Sequence, residues 1–216
     1  MQQLFDETRV KVREAGRVIV LRRGVVRVLR PGGLPESFGE ACLPPDGGEV
    51  LSARAWRVGV RGEARALPVE RDSSRAGTAG AAGAAGAAGQ GCVRVTPEAA
   101  LAGTVFVWEI VTEDDLPLPR WTHDFSGPLP VVESRFAIIL PDGFEPDAQL
   151  ASGGGVYAVR TGRAWYGLAL GLAATPVETP ESAPMPAQPT LFVAWRAPKE
   201  VLPRGAPAGR RWSRTP

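Results

Sequence analysis

Twenty-one prolines and 26 glycines punctuate the 216 residues, and this spacing of breaks constrains the fold more than any other feature. Proline ends or kinks a helix, and both residue types mark turns. Few windows between the breaks hold an apolar stripe at helical spacing. Alternation survives instead. In "TRVKVREAG", Val10 and Val12 sit between charged neighbours, the period-two pattern of a half-buried strand. "RVIVLRRGVVRVLRPGG" continues with β-branched residues and stops at Pro31, Gly32 and Gly33. "EVLSARAWRVGVRGEARALPVER" sets Ala53 and Ala55 against arginines, then Val58 and Val60, with "RGEA" as a hairpin turn. In "GTVFVWEIVTED", Val105, Val107 and Glu109 face opposite to Phe106, Trp108 and Ile110. "GCVRVTP" and "ESRFAIILPDG" are further strands, "VYAVRTGRAWYGLAL" is a hairpin turning at Thr161-Gly162, and "TLFVAWRAP" is the last strand. About ten strands, with turn signals roughly every 8 to 15 residues, predict an all-β fold, an antiparallel β-sandwich.

One segment breaks the pattern. "AGTAGAAGAAGAAGQG", from Ala76 to Gly91, repeats glycine every third residue without the proline of collagen. Its side chains supply almost no apolar area to offset the entropy of ordering them, so a disordered Ala/Gly-rich loop between two strands is expected over 73–91. The domain organisation that follows is a β-sandwich over 1–150 carrying that insert. Residues 151–198 then complete the same domain or form a small second sheet. A Gly-rich break at Gly153 to Gly155 opens that part, and the Pro-rich connection "ATPVETPESAPMPAQP" lies within it. A disordered basic, Pro-rich tail is expected over 199–216.

The charge pattern excludes several function classes. The 25 basic residues are scattered among 23 acids, for a net charge of +2. Lysine occurs only at Lys11 and Lys199 and asparagine not at all, the skew of a GC-rich coding sequence. No stretch joins basic residues to stacking aromatics as nucleic-acid binding requires, so no nucleic-acid partner is expected. No apolar run approaches the roughly 20 residues of a membrane span. The opening "MQQLFDETRVKV" has no basic and apolar leader, so no signal peptide is expected. Cys42 and Cys92 are expected to be two buried or unpaired thiols; a disulfide is plausible only in an oxidising compartment.

Longer-range order carries a family resemblance. "REAGRVIVLRRGVVRVL", "LSARAWRVGVRGEARAL", "VRVTPEAALAGTVFVWEI" through Pro97, Gly103 and Val107, and "HDFSGPLPVVESRFAIILPDGF" through Phe125, Pro130, Val131, Ser134 and Pro141 follow one another in a fixed order. Over about Glu7 to Pro146, and more weakly to Trp195, the chain resembles the N-terminal β-rich domain of unknown function that precedes a transglutaminase-like domain in bacterial proteins. The resemblance implies a non-catalytic accessory module, a transglutaminase-like domain or other protein as partner, and an exported setting in the periplasm or cell envelope. The chain stops where the transglutaminase-like domain would begin, and the Ala/Gly-rich insert replaces ordinary strand and loop.

Candidate chemistry centres on "RWTHDFSGPLP", which holds the only histidine, His123. A papain-like site needs a cysteine at a helix N-terminus, activated by a histidine that an acid orients. Neither Cys42 nor Cys92 precedes a recognisable helix, and His123 and Asp124, as strand neighbours, face opposite ways. No "G-x-S-x-G" elbow accompanies Ser126 or Ser134. "TEDD", ending in Glu113, Asp114 and Asp115, lacks the length and the glycine of a calcium loop and is expected to be a solvated turn. No catalytic residue, cofactor or metal is therefore expected. The stretch itself is expected to be a corner, with Trp121 and Phe125 packed inward and His123 at a rim. Six tryptophans, Trp56, Trp108, Trp121, Trp165, Trp195 and Trp212, raise a glycan-binding alternative, against which stands ordinary core packing. Trp121, His123 and Trp195 are the residues nominated for contact with a ligand or partner.

Overall fold

The alternation of "VFVWEIVTEDD" becomes a strand whose Phe106, Trp108 and Ile110 are buried while Val105, Val107 and Glu109 are only half-buried. The structure, a computed structural model, describes residues 1–13, 16–30, 38–43, 48–72, 92–96, 100–115, 118–151, 155–174, 189–196 and 198. The insert 73–91, most of the Gly-rich break and of the Pro-rich connection, the Pro31 turn, and the tail with Trp212 lie outside them.

Fourteen strands follow one another among the described residues: β1 (Gln2–Val12), β2 (Arg17–Arg27), β3 (Gly39–Cys42), β4 (Glu49–Val58), β5 (Ala64–Ala66), β6 (Glu70–Asp72), β7 (Cys92–Val95), β8 (Val105–Asp115), β9 (Arg120–Asp124), β10 (Val131–Ile139), β11 (Glu145–Ala151), β12 (Val156–Thr161), β13 (Ala164–Leu172) and β14 (Thr190–Arg196). They form an eight-stranded sheet, β12-β13-β10-β1-β2-β8-β4-β5, and two three-stranded sheets, β11-β14-β9 and β3-β7-β6. The all-β sandwich is thus present. More strands appear than alternation marks: β3 and β6 have only four and three residues, and β9 and β11 lie outside the marked stretches. One pairing departs from the antiparallel expectation: β1 runs parallel to β10, with Glu7 opposite Arg135 and Lys11 opposite Ile139.

Both small sheets cover one face of the large one. Val10, Val12, Val18, Val20, Phe136 and Ile138 pack with Phe125, Leu191, Val193 and Trp195 beneath β9 and β14. Phe106, Trp108, Ile110 and Ala55 pack with Ala41, Val93 and Val95 beneath β3 and β7. Three glycines make room for aromatic rings. A Cβ on Gly24 or Gly39 would come within 2.7 or 2.5 Å of the Trp108 ring, and one on Gly167 within 2.5 Å of Phe125. Trp108 therefore lies against the bare backbones of β2 and β3.

The opposite face of the large sheet is polar at its centre. Glu7 is buried there between Arg9 and Arg23, and Arg23 and Arg135 flank the Phe5 ring at 5.7 and 5.4 Å. At the β12–β13 end that face turns apolar. Tyr157 lies opposite Leu168 and Val159 opposite Tyr166, and Tyr157, Val159, Tyr166 and Leu170 are all exposed.

Two expectations are corrected. The stretch Arg120–Asp124 is strand β9 rather than part of a corner, and the turn is confined to the residues that follow it. Glu113 to Asp115 end strand β8 rather than form a solvated turn. They pair with Arg17 to Ile19 of β2, with Glu113 3.7 Å from Arg13 and Asp115 3.4 Å from Arg17.

Candidate functional site

Between the two small sheets a cleft of about 470 Å³ opens onto the large sheet. Its walls are β9 on one side and Phe38 to Glu40, at the start of β3, on the other. Each wall is an end strand of its sheet. The floor comes from the inward phase of β1, β2 and β8, where Asp6 pairs across with Gly24, Gly24 with Trp108, and Thr8 with Arg22.

Asp6 is in phase with the buried Thr8, Val10 and Val12, which drives it into the floor. Gln3 Nε2 donates to its Oδ1 at 3.1 Å, and Ser134 Oγ, itself fully buried, donates to Oδ2 at 3.5 Å. Burial raises the Asp6 carboxyl to about 6, against the lowering pull of Ser134, Arg22 and Gln3. His123 is stacked on Phe136 at 4.6 Å and meets Phe125 edge-on at 4.7 Å. Burial lowers its imidazole to about 4, so the ring is neutral at physiological pH. Its Nε2 has no hydrogen-bond partner among the described residues. Nor has Trp108 Nε1, Trp121 Nε1 or Ser126 Oγ, and all four residues line the cleft. An unmet buried polar group costs about 1–3 kcal/mol, and four such atoms belong to residues of this one cavity.

The acids at the rim are already engaged. Arg94 donates to Glu40 Oε1 at 3.0 and 3.1 Å, and Thr190 Oγ1 donates to Asp124 Oδ1 at 2.6 Å. Asp124 is exposed on the face of β9 opposite to His123.

Of the three nominated residues, Trp121 and His123 reach the cleft and Trp195 does not. Trp195 is only 6% exposed and belongs to the core. His123 is not at a rim: it shares strand parity with Trp121 and Phe125 and is 7% exposed. Asp6 and Arg22 are the residues that motif reasoning missed, and Ser134, weighed there only as a nucleophile, serves instead as a donor to Asp6. A usable signal existed, since a charge in phase with buried valines is unusual within a strand: Asp6 with Val10 and Val12, and Arg22 with Val18 and Val20.

The cysteines are also corrected. Cys42 and Cys92 lie directly opposite in the β3–β7 register, with Cα atoms 4.1 Å apart, and form a disulfide. Such close Cα atoms belong to a non-hydrogen-bonded antiparallel pair, whose side chains adjoin. Glu40, Cys42 and Cys92 are the one group of three metal-ligand types in mutual reach among the described residues. With both sulfurs in the disulfide, only the carboxylate is left, and it faces Arg94.

Neither a family model nor a curated protein matches the sequence. Solved structures do. The chain superposes on a protein from Parabacteroides distasonis described as a candidate protease, with TM-score 0.65 and 12% identity, covering 89% of this chain and 40% of that one. Against an M1 zinc metallopeptidase from Deinococcus radiodurans the TM-score is 0.40 and the identity 10%, covering 89% and 42%. The chain thus spans about two fifths of these longer proteins, and the first likeness is one of fold.

Proposed function

We propose that this is a non-catalytic β-sandwich module, accessory to a transglutaminase-like cysteine peptidase or transferase domain, that positions substrate in its cleft and packs against the catalytic domain. The observation that carries the reading is the fate of the two residue types such chemistry needs. Both thiols are joined in the β3–β7 disulfide, and the one imidazole is walled by Phe125 and Phe136. A thiolate nucleophile and its base are therefore not brought together, while a polar cleft is. Two further observations support an accessory role. The fold recurs as two fifths of a longer candidate protease. The exposed Tyr157, Val159, Tyr166 and Leu170 form a contiguous apolar face of the kind that marks protein contacts. The disulfide supports an oxidising compartment, and so export.

The test starts from the DNA flanking the reading frame. A transglutaminase-like segment is expected there, with a cysteine opening a helix and a later histidine and aspartate. Expressed alone, that segment should cleave or transfer with a KM raised by about tenfold relative to the joined protein, because uniform substrate binding is lost. An absent segment, or equal KM values, would overturn the accessory role. The second reading, a free-standing glycan- or protein-binding module, draws on the cleft alone. It takes first place if the isolated chain binds on a glycan or peptide array and no catalytic neighbour exists.

A further inference from the structure

We infer that the cleft binds an extended peptide bearing a free carboxylate, with the peptide backbone pairing along the open edge of β9 and the carboxylate held by Arg22. This names the ligand that the substrate-positioning reading leaves open, and it is tested separately from it.

The edge comes first. Among the described residues β9 pairs with β14 on one side only. Phe125 N–H donates to the Pro189 carbonyl at 3.0 Å and Trp195 N–H to the Pro119 carbonyl at 3.0 Å, which fixes the phase of that ladder. In an antiparallel pair, alternate residues direct their N–H and C=O groups to opposite sides. Residues 119, 121, 123 and 125 therefore turn to β14, and Arg120, Thr122 and Asp124 turn outward; the Arg120 N–H already donates to the Leu118 carbonyl at 2.8 Å, which leaves the N–H groups of Thr122 and Asp124 for an added strand. The outward side borders the cavity, because five consecutive residues, Trp121 to Phe125, line it. Exposed edges invite pairing and are usually blunted. This one borders a cleft with Phe38 to Glu40 as the far wall. Strand addition supplies affinity through main-chain bonds and selectivity through side-chain pockets.

The spare hydrogen-bonding capacity then selects the charge. Asp6 is engaged by Gln3 and Ser134, Glu40 by Arg94, and Asp124 by Thr190. Of the four cleft atoms without a partner among the described residues, two can only donate, the indole N–H groups of Trp108 and Trp121, and Ser126 Oγ can donate as well. Arg22 rises from the floor, exposed within the gap between the small sheets, and its charge bears on both Asp6 and His123. A guanidinium beside unfilled donors matches a carboxylate, which accepts from two N–H groups at once.

The full chain would be titrated calorimetrically with acetylated Ala-Thr-Ala-Thr-Ala, as the free acid and as the C-terminal amide. The acid should bind at least about tenfold more tightly than the amide, a difference expected of one charge-assisted pair. Arg22→Gln should bring the acid down to the amide. Thr122→Pro, which removes the central outward N–H, should weaken both, with circular dichroism to check folding. N-methylation of the peptide amides probes the same edge without altering the protein and should abolish binding. An amide peptide with a central glutamate distinguishes a side-chain carboxylate from a terminal one; binding like the acid supports the shared chemistry. Equal binding of acid and amide, an acid preference that survives Arg22→Gln, or no binding at millimolar peptide would overturn the inference. None of these outcomes depends on a catalytic neighbour, so failure here is distinct from failure of the accessory role.

Discussion

Under β9 and β14 the large sheet is covered by Phe125, Leu191, Val193 and Trp195, on strands of five and seven residues. Under β3 and β7 the cover is Ala41, Val93 and Val95, on strands of four residues each, with Phe38, Leu67 and Val69 beside them. The strands of the second cover bring smaller side chains, and it is the half that carries the disulfide. Burial of large side chains holds one side; a cross-strand covalent tie and one sandwiched indole hold the other. A short sheet with small side chains cannot offset its ordering entropy by burial alone, and a staple is the usual supplement.

The strongest way to break that contrast is to remove one buried ring from each half. Trp108→Ala and Phe125→Ala should each cost about 3–5 kcal/mol in urea unfolding, since each removes a buried ring. Equal losses would show that the two halves depend on their aromatic keystones alike.

Reduction sharpens the difference. Replacing Cys42 and Cys92 by serine should cost roughly 2–4 kcal/mol, for a loop closed by residues 50 apart. Hydrogen exchange should accelerate in β3, β6 and β7 and stay unchanged in β9 and β14. Acceleration spread over both halves would mean that the staple serves the whole sandwich.

A smaller effect tests the seam between the halves. Burial raises Asp6 to about 6, above its unfolded value of 3.8, so its protonated form is favoured on folding. That contribution is full below 3.8 and is lost as pH rises through 6. Burial lowers His123 to about 4 from 6.5, so its contribution is full above 6.5 and is lost as pH falls through 4. Between pH 4 and 6 the two slopes oppose, and each amounts to on the order of 3 kcal/mol over its whole range. Relative to the parent, Asp6→Asn should become less stable as pH falls through that window, and His123→Gln more stable. Parallel pH profiles for parent and both variants, measured by urea midpoints, would refute the opposition.

Much of the architecture was legible because alternation is local. Val10 and Val12, and Phe106, Trp108 and Ile110, announce their buried faces without knowledge of their partners. The hairpin between β4 and β5, with Trp56 opposite Ala66, and that between β12 and β13 were legible from their glycine turns. Pairing between distant strands was not. Nothing near Cys42 says that it meets Cys92, and nothing near Gln3 says that it lies beside Val131. The site was half legible for a different reason. If Trp121 and Phe125 point inward, period two requires His123 to point inward as well; treating the stretch as a corner hid that constraint. Asp6 and Arg22 went unnoticed because they belong to no motif.

The parallel alignment of β1 with β10 has a consequence for synthesis. Lys11 lies opposite Ile139, so one whole side of the first strand waits for a partner far along the message. At a translation rate of about 5–20 residues per second, that side stays bare for roughly 6 to 25 seconds after it emerges. The nascent hairpin of β1 and β2 is thus an open template until β10 has emerged, and a holding chaperone at that moment would guard the free side of β1.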